Sequence, residues 1–418
     1  MKFFIFINIF ISTAIFSQAK TELTLEDAQD IAIDNNYQIS SSEFDIQKLI
    51  ERKKYYESFF YPSIGIQAES PNLINSSQSQ GQSYLYLKQN ILNKNNDHRN
   101  IDIEKSNIIK QKKINEIKKF HITLDVEFEF HKSTYYQDLI YIQEYAIKQN
   151  RSHIKIAKSL MSKGRFSKAD VMFFEAQNAT LKSDLEGLKQ DLEESRIEIK
   201  RLLGNKIGPY IRPVGRLTHQ HIEEDLMFYI NKGYQSNEQI ILTSYEIEKS
   251  SYYLQRHYND WLPDINLEVK SGYINASNSQ RKLETQAVIS FDFNFFSGFS
   301  GNHTKNIDRY TYEKNNLKLK QDILDLITNI EISYRRLKTI EKRIDLESKN
   351  IDMNLTYFNF IEKEYKRGYK TSSDLLDALS RYIQSQKKSK KLKFSFLSER
   401  IQLEKTLGSK VRVKNENH

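Results

Sequence analysis

The sequence contains no cysteine. Disulfides and thiolate metal sites are therefore excluded, and no thiol is available for lipid attachment, so membrane anchoring is expected from the fold itself. Glycine and proline are scarce, 13 and 5 in 418 residues, which leaves few turns and implies long elements. Long apolar runs are also missing: beyond residue 16 none could cross a bilayer as a helix, and mean hydropathy is −0.65. Any insertion into a membrane thus falls to strands. Aromatic residues make up 12%, too many for a disordered composition. The net charge of +9 is modest for this length. The densest basic run, Lys387–Lys393, has neither the aromatic interleaving nor the glycine framing of a nucleic-acid site, and reads as a solvated helix face.

Chemistry-bearing constellations are absent as well. The nine histidines are scattered, the one close pair, His219 and His221, falls in an irregular connector, and the 5 methionines do not cluster, so no metal or cofactor is expected. No Ser-His-Asp order, phosphate loop or HExxH is present, so no catalytic residue is assigned and the chain is not read as an enzyme.

What the sequence does contain, it contains twice. Helical patterning ends at Tyr61-Pro62-Ser63-Ile64 and again at Leu262-Pro263-Asp264-Ile265. Each corner is followed by two alternating segments around a polar loop, then by a very long helical stretch. Each long stretch breaks at a glycine, Gly164 or Gly368, with Asp170 or Asp374 six residues on. Each half closes on Leu-Gly, at Leu203-Gly204 and Leu407-Gly408. The offsets are 263 − 62 = 201, 368 − 164 = 204 and 408 − 204 = 204. One unit of about 200 residues is duplicated with almost no drift.

Residues 1–19 have the lysine, apolar core and small Ser17 and Ala19 of a secretory signal peptide. Thr24 and Asp27 then mark a helix start, with helical pattern to about Tyr61. Strands are expected at about 63–69, 83–91, 264–272 and 285–296, separated by polar loops at Asn72–Gln82 and Asn275–Lys282. Alternation alone does not separate a sheet packed on helices from a membrane wall; the export signal and polar loops favour the wall. Four strands cannot close a barrel, so several chains must contribute. Ile323, Ile327, Ile330, Tyr334 and Leu337 step by four and three, a coiled-coil seam within a helix spanning at least His303–Glu364. Ile122–Phe130 alternates like a strand, but its repeat mate lies inside that helix, so it too is read as helix. Residues 205–222 form an irregular connector, and 409–418 a polar, disordered tail. Trp261 sits at the second proline corner.

The glycine breaks carry helix stop and start chemistry: a left-handed cap, then Ser or Thr with an Asp near the next N-terminus. Local capping accounts for these residues; so does a role as tips of two helical hairpins at one end of a tube. Asp374 and Asp377 share a helix face, and in a rotationally symmetric assembly each would form a carboxylate ring able to select cations.

Taken together, the duplication, the Tyr-Pro and Leu-Pro corners, the phenylalanine strand before Ser297-Gly298 and the sequence from Tyr365 through Gly368 and Asp374 to Ala378 resemble the TolC-type outer-membrane efflux proteins, over Leu23–Gly408. The resemblance implies a mainly α fold with a small β-barrel portion. Two efflux repeats, 20–204 and 223–408, would supply four strands per chain. A homotrimer would form a twelve-stranded barrel in outer-membrane lipid and an α-helical tunnel in the periplasm. It implies a passive duct, working with a periplasmic adaptor and an inner-membrane RND, ABC or similar transporter, without nucleic acid. By motif position Asp374 and Asp377 resemble the family's selectivity aspartates. Tyr365, Lys370 and Asp170 resemble the aromatic, basic and acidic members of its closing lock, and Gly164 and Gly368 mark the adaptor-docking tips. Lys370 stands where the best-known member has arginine, and a lysine makes no bidentate fork. The alternative is a soluble periplasmic coiled-coil adaptor, although adaptors show one hairpin between barrel segments.

Overall fold

The computed structural model describes residues 21–69, 82–92, 97–204, 211–215, 217–218, 220–257, 262–273, 283–294 and 296–415. The expected signal segment 1–19, the loop residues 72–81 and 275–282, Trp261 and His219 lie outside them.

Strand β1 (Thr21–Leu23) leads into helices α1 (Leu25–Asn35) and α2 (Tyr37–Ser58). Thr24 caps α1 by accepting the Asp27 amide at 3.2 Å. The single helical stretch expected up to Tyr61 is two helices. Asn36 leaves helical geometry at ψ 121° and its side chain accepts the Gln38 amide, ending one helix and starting the next. Past the Pro62 corner come β2 (Ser63–Glu69) and β3 (Gln82–Leu92), then α3 (Asp97–Ser162) and α4 (Lys168–Leu202). The 66 residues of α3 span about 100 Å.

The second repeat follows the same plan after β4 (Ile211–Pro213). It comprises β5 (Gln220–Ile222), α5 (Leu226–Ser236), α6 (Glu238–Arg256), β6 (Asp264–Tyr273), β7 (Glu284–Asp292), α7 (Ser300–Arg367), α8 (Ser372–Leu407) and β8 (Val413–Asn415). Asn237 divides α5 from α6 as Asn36 divides α1 from α2, an offset of 237 − 36 = 201. Gly204 and Gly408 end α4 and α8 with positive φ, and a Cβ on either would strike the backbone of Asn35 or Ser236.

Residues 122–130 are helical, as the repeat requires. Their strand-like alternation has a physical source. Ile122 and Val126 pack in one cluster with Ala28 and Ala32 of α1, while Phe120, Leu124 and Phe128 pack in another with Leu397 and Ile401 of α8. A helix with apolar neighbours on two sides shows two interleaved seams, and the sum imitates period two.

The connector and the tail are more ordered than their composition implies. Within the connector, β4 pairs in parallel with β1, and β5 pairs antiparallel with β8. The tail is drawn in by Val411, which is buried and donates its amide to Glu404 Oε1 at 3.0 Å. Glu404 shares a charge cluster with buried Glu127 and Arg400 and the exposed Lys410. Burial pushes the Glu127 carboxyl up, but Arg400 and Lys410 outweigh it and hold it below the usual range.

The four-stranded sheet runs β2-β3-β6-β7, all antiparallel. Three strands lie within a residue or so of their expected bounds. The fourth, expected to reach 296, ends at Asp292, because Asp292 faces Asp264, the first residue of β6, and no partner remains beyond it.

Candidate functional site

Two places carry unusual chemistry: the sheet and the hairpin tips. Register aligns Ile66 with Leu85, Ile64 with Leu87 and Val269, and Leu267 with Ile289, so the apolar residues gather on one face. The other face joins Lys88, Glu268 and Lys270, with Glu268 accepting Lys88 at 3.0 Å and Lys270 at 3.1 Å. A sheet covered by helices would bury its apolar face. Here Ile64, Ile66 and Phe291 remain 67%, 80% and 68% exposed. The chain presents an apolar wall with a charged reverse side and two open edges, β2 and β7.

At the other end, α3–α4 and α7–α8 turn at Gly164 and Gly368, with φ of +72° and +85°. In each turn the following amide reaches back to close the helix: Arg165 to the Leu160 carbonyl and Tyr369 to that of Glu364, both at 3.0 Å. A Cβ at Gly164 would meet open space, so the left-handed backbone, not crowding, demands glycine there. Each turn ends in a reciprocal capping box, Ser167 with Asp170 and Thr371 with Asp374.

The five residues singled out from the sequence converge on these tips. Asp170 Oδ2 serves its own cap, and its Oδ1 accepts the Ser372 hydroxyl at 2.9 Å, joining the two hairpins. Tyr365 OH lies 3.4 Å from Ser372 Oγ, so Tyr365 and Asp170 meet through one serine. The Tyr365 ring is fully buried, stacked on Phe166 at 5.1 Å and edge-on to Phe174 at 6.1 Å. Burial pushes its hydroxyl pKa up. Burial also opposes ionisation of Asp170, but hydrogen bonds from Ser167 and Ser372 outweigh it and hold the carboxyl below the usual range. Asp374 is held low by the Thr371 amide and hydroxyl, with Lys370 adding to the effect. Asp377 lies exposed and pairs with Arg381 at 2.8 Å. Its charge therefore stands beside a cation one turn away.

Ser372, to which the sequence pattern assigns no role, is the joint between the hairpins; its only signal is its place one residue after a cap. The basic run is more than the solvated helix face its composition implies. Lys387 donates to Gln143 at 2.6 Å, Lys388 pairs with Glu347 at 2.6 Å, and Lys390 pairs with Asp138 at 2.8 Å, stitching α8 to α3 and α7. Those partners are non-local and invisible to a run of lysines. Among the described residues no cluster of three potential ligands could hold a metal ion.

Residues 234–409 match the outer membrane efflux protein family. No curated protein matches the chain. Among solved structures, the transmembrane channel protein CusC superposes with a TM-score of 0.79 at 11% identity, covering 92% of each chain. The outer membrane protein VceC of Vibrio cholerae gives 0.75 at 12% identity, covering 93% of this chain and 97% of its own. The Campylobacter jejuni outer membrane channel CmeC gives 0.78 at 12%, covering 93% and 86%. At such identities the likeness establishes a shared fold over nearly the whole length.

Proposed function

We propose that this chain, whose residues 234–409 match the outer membrane efflux protein family and whose fold is that of outer-membrane channels, forms a passive exit duct. Three copies continue the sheet from β7 of one to β2 of the next, giving a twelve-stranded barrel in outer-membrane lipid. The helical hairpins extend it as a tunnel across the periplasm. The duct does no chemistry of its own. An inner-membrane transporter, of RND, ABC or similar type, supplies the energy for efflux or type I secretion. A periplasmic adaptor docks at the Gly164 and Gly368 tips. Asp374 and Asp377, with Tyr365, Lys370 and Asp170, form the constriction.

The observation that carries this reading is the uncovered apolar face of an open-edged sheet, joined to hairpins about 100 Å long. A soluble adaptor would hide such a face. The test is direct: protein extracted from outer membranes should have the mass of three chains and conduct in planar bilayers. A monomeric particle, or one that never conducts, overturns the proposal.

A further inference from the structure

The two faces of the four-stranded sheet differ more than amphipathicity alone requires. On the apolar face Ile66 is 80% exposed, yet on the polar face Tyr84 is only 6% exposed. The polar face covers itself.

The register shows how. Strand β3 sets Tyr86 opposite Gly65 of β2, and Tyr84 opposite Gly272 of β6. A Cβ on Gly65 would stand 2.5 Å from the Tyr86 hydroxyl oxygen and 2.6 Å from its Cζ. The far end of that ring therefore lies flat over the glycine, which gives it a seat. Gly272 meets a different need: a Cβ there would strike the Ser83 carbonyl and the Tyr84 backbone, so it lets the two strands approach closely.

Each ring is then roofed by a lysine. Lys88 Nζ lies 4.9 Å from the centre of the Tyr86 ring, and Lys270 Nζ 5.1 Å from that of Tyr84. Glu268 ties both lysines down, at 3.0 and 3.1 Å. Nearer the far ends of the strands, Gln67 donates to Glu69 along its own strand at 2.7 Å. Side chains on a strand stand roughly perpendicular to the sheet by default. Here they run along it. Solubility asks for none of this, because freely projecting lysines and glutamates hydrate as well, and a glycine inside a strand weakens it. What the arrangement gains is open space above the wall.

We propose that Gly65, Tyr86, Lys88, Glu268 and Lys270 set the bore of the barrel, and so the bulkiest solute that can leave, by holding long side chains flat against the luminal wall. This rests on the duct reading above and adds to it a size-determining element at the opposite end of the long helices from the hairpin tips. In a threefold barrel the lattice recurs in every copy, so one displaced ring per chain projects three times into a single lumen.

The absence of cysteine makes the test clean. Ser290 lies on the polar face opposite Asn266, closer to the helices than Tyr86. A probe entering past the strand ends remote from the helices must pass Tyr86 to reach it. In the full chain in intact cells, Ser290→Cys should react with thiol-reactive polyethylene glycols added outside, up to a limiting mass. Adding Gly65→Ala should swing the ring into the lumen and slow labelling by the largest probes severalfold, while a small charged methanethiosulfonate reacts as before. Adding Tyr86→Ala to that pair should restore the limit. Tyr86→Ala without the glycine change should leave it unaltered, since the ring is already flat. Where Gly65→Ala does not assemble, Glu268→Ala, which releases both lysines, should produce the same loss. An unaltered limit in the Gly65 or Glu268 variant, or a loss after Gly65→Ala that Tyr86→Ala does not relieve, would overturn the lattice while leaving the duct standing. If even the small reagent fails to reach Ser290→Cys, the polar face is no lumen and the duct reading falls with it.

Discussion

Ser372 of one hairpin donates its hydroxyl to Asp170 of the other at 2.9 Å, and the same oxygen lies 3.4 Å from the Tyr365 hydroxyl. One small side chain thereby adds a polar tie to tips already packed through Tyr365, Phe166 and Phe174. Asp170 keeps its capping role through its other oxygen, so the two functions can be separated.

Ser372→Ala should therefore loosen the tips while leaving both capping boxes intact. The lost hydrogen bond, to a charged acceptor, is worth about 1.5–3 kcal/mol. Single-channel recording should show a larger open fraction, and cells should become more sensitive to large antibiotics that the closed duct excludes. Unchanged conductance would mean that the bond is incidental to closure.

Replacing Asp374 and Asp377 with Asn should weaken block by multivalent cations and reduce cation preference, read as reversal potential in a salt gradient. Arg381→Gln should act in the opposite direction, because Arg381 lies against Asp377 at 2.8 Å. If neither changes the reversal potential, these carboxylates only cap and solvate the helix.

His153 lies fully buried between Phe174 and Phe358, with the Glu362 carboxylate 3.7 Å away and neither ring nitrogen hydrogen-bonded. Burial lowers its pKa to about 4, against the attraction of Glu362 and with Lys366 adding to the fall. The unfolded chain takes up the proton near pH 6.5, so between there and about pH 4 unfolding gains a proton. Stability is full above that window and falls as pH drops through it, by on the order of 3 kcal/mol. His131, also lowered to about 4 by burial, acts in the same sense. Thermal melts should shift down between about pH 7 and pH 5, and His153→Gln should flatten part of the slope. An equal slope in the variant would rule out His153 as the source.

Glycines at the two ends of α4 should differ in cost. Gly164→Ala meets open space and incurs only the left-handed backbone, about 1 kcal/mol. Gly204→Ala adds a collision with the Asn35 carbonyl, 2.6 Å from the new carbon, and should destabilise the fold more. Equal melting points for the two variants would contradict this.

The periodic and duplicated features were legible in the sequence, because helix seams, proline corners and glycine caps are local signals. The repeat even corrected the deceptive alternation at 122–130. What escaped depended on partners far along the chain. Lys390 meets Asp138, Ser372 meets Asp170, and Lys410 meets Glu127. No local spacing encodes such meetings. The tail and connector looked irregular because three-residue strands are too short to show alternation, and their order comes from pairing.

That pairing has a consequence for how the chain can be divided. Strand β1 finds its mate β4 before Gly215, and β5 finds β8 after it. Among the described residues, a cut between Gly215 and Gln220 therefore severs neither of these strand pairs and opens no helix. Two half-length polypeptides made from separate reading frames would each carry their own clasp, and could reassemble in the envelope by complementation. In that sense the two repeats are separable units, each closed by its own strand pair.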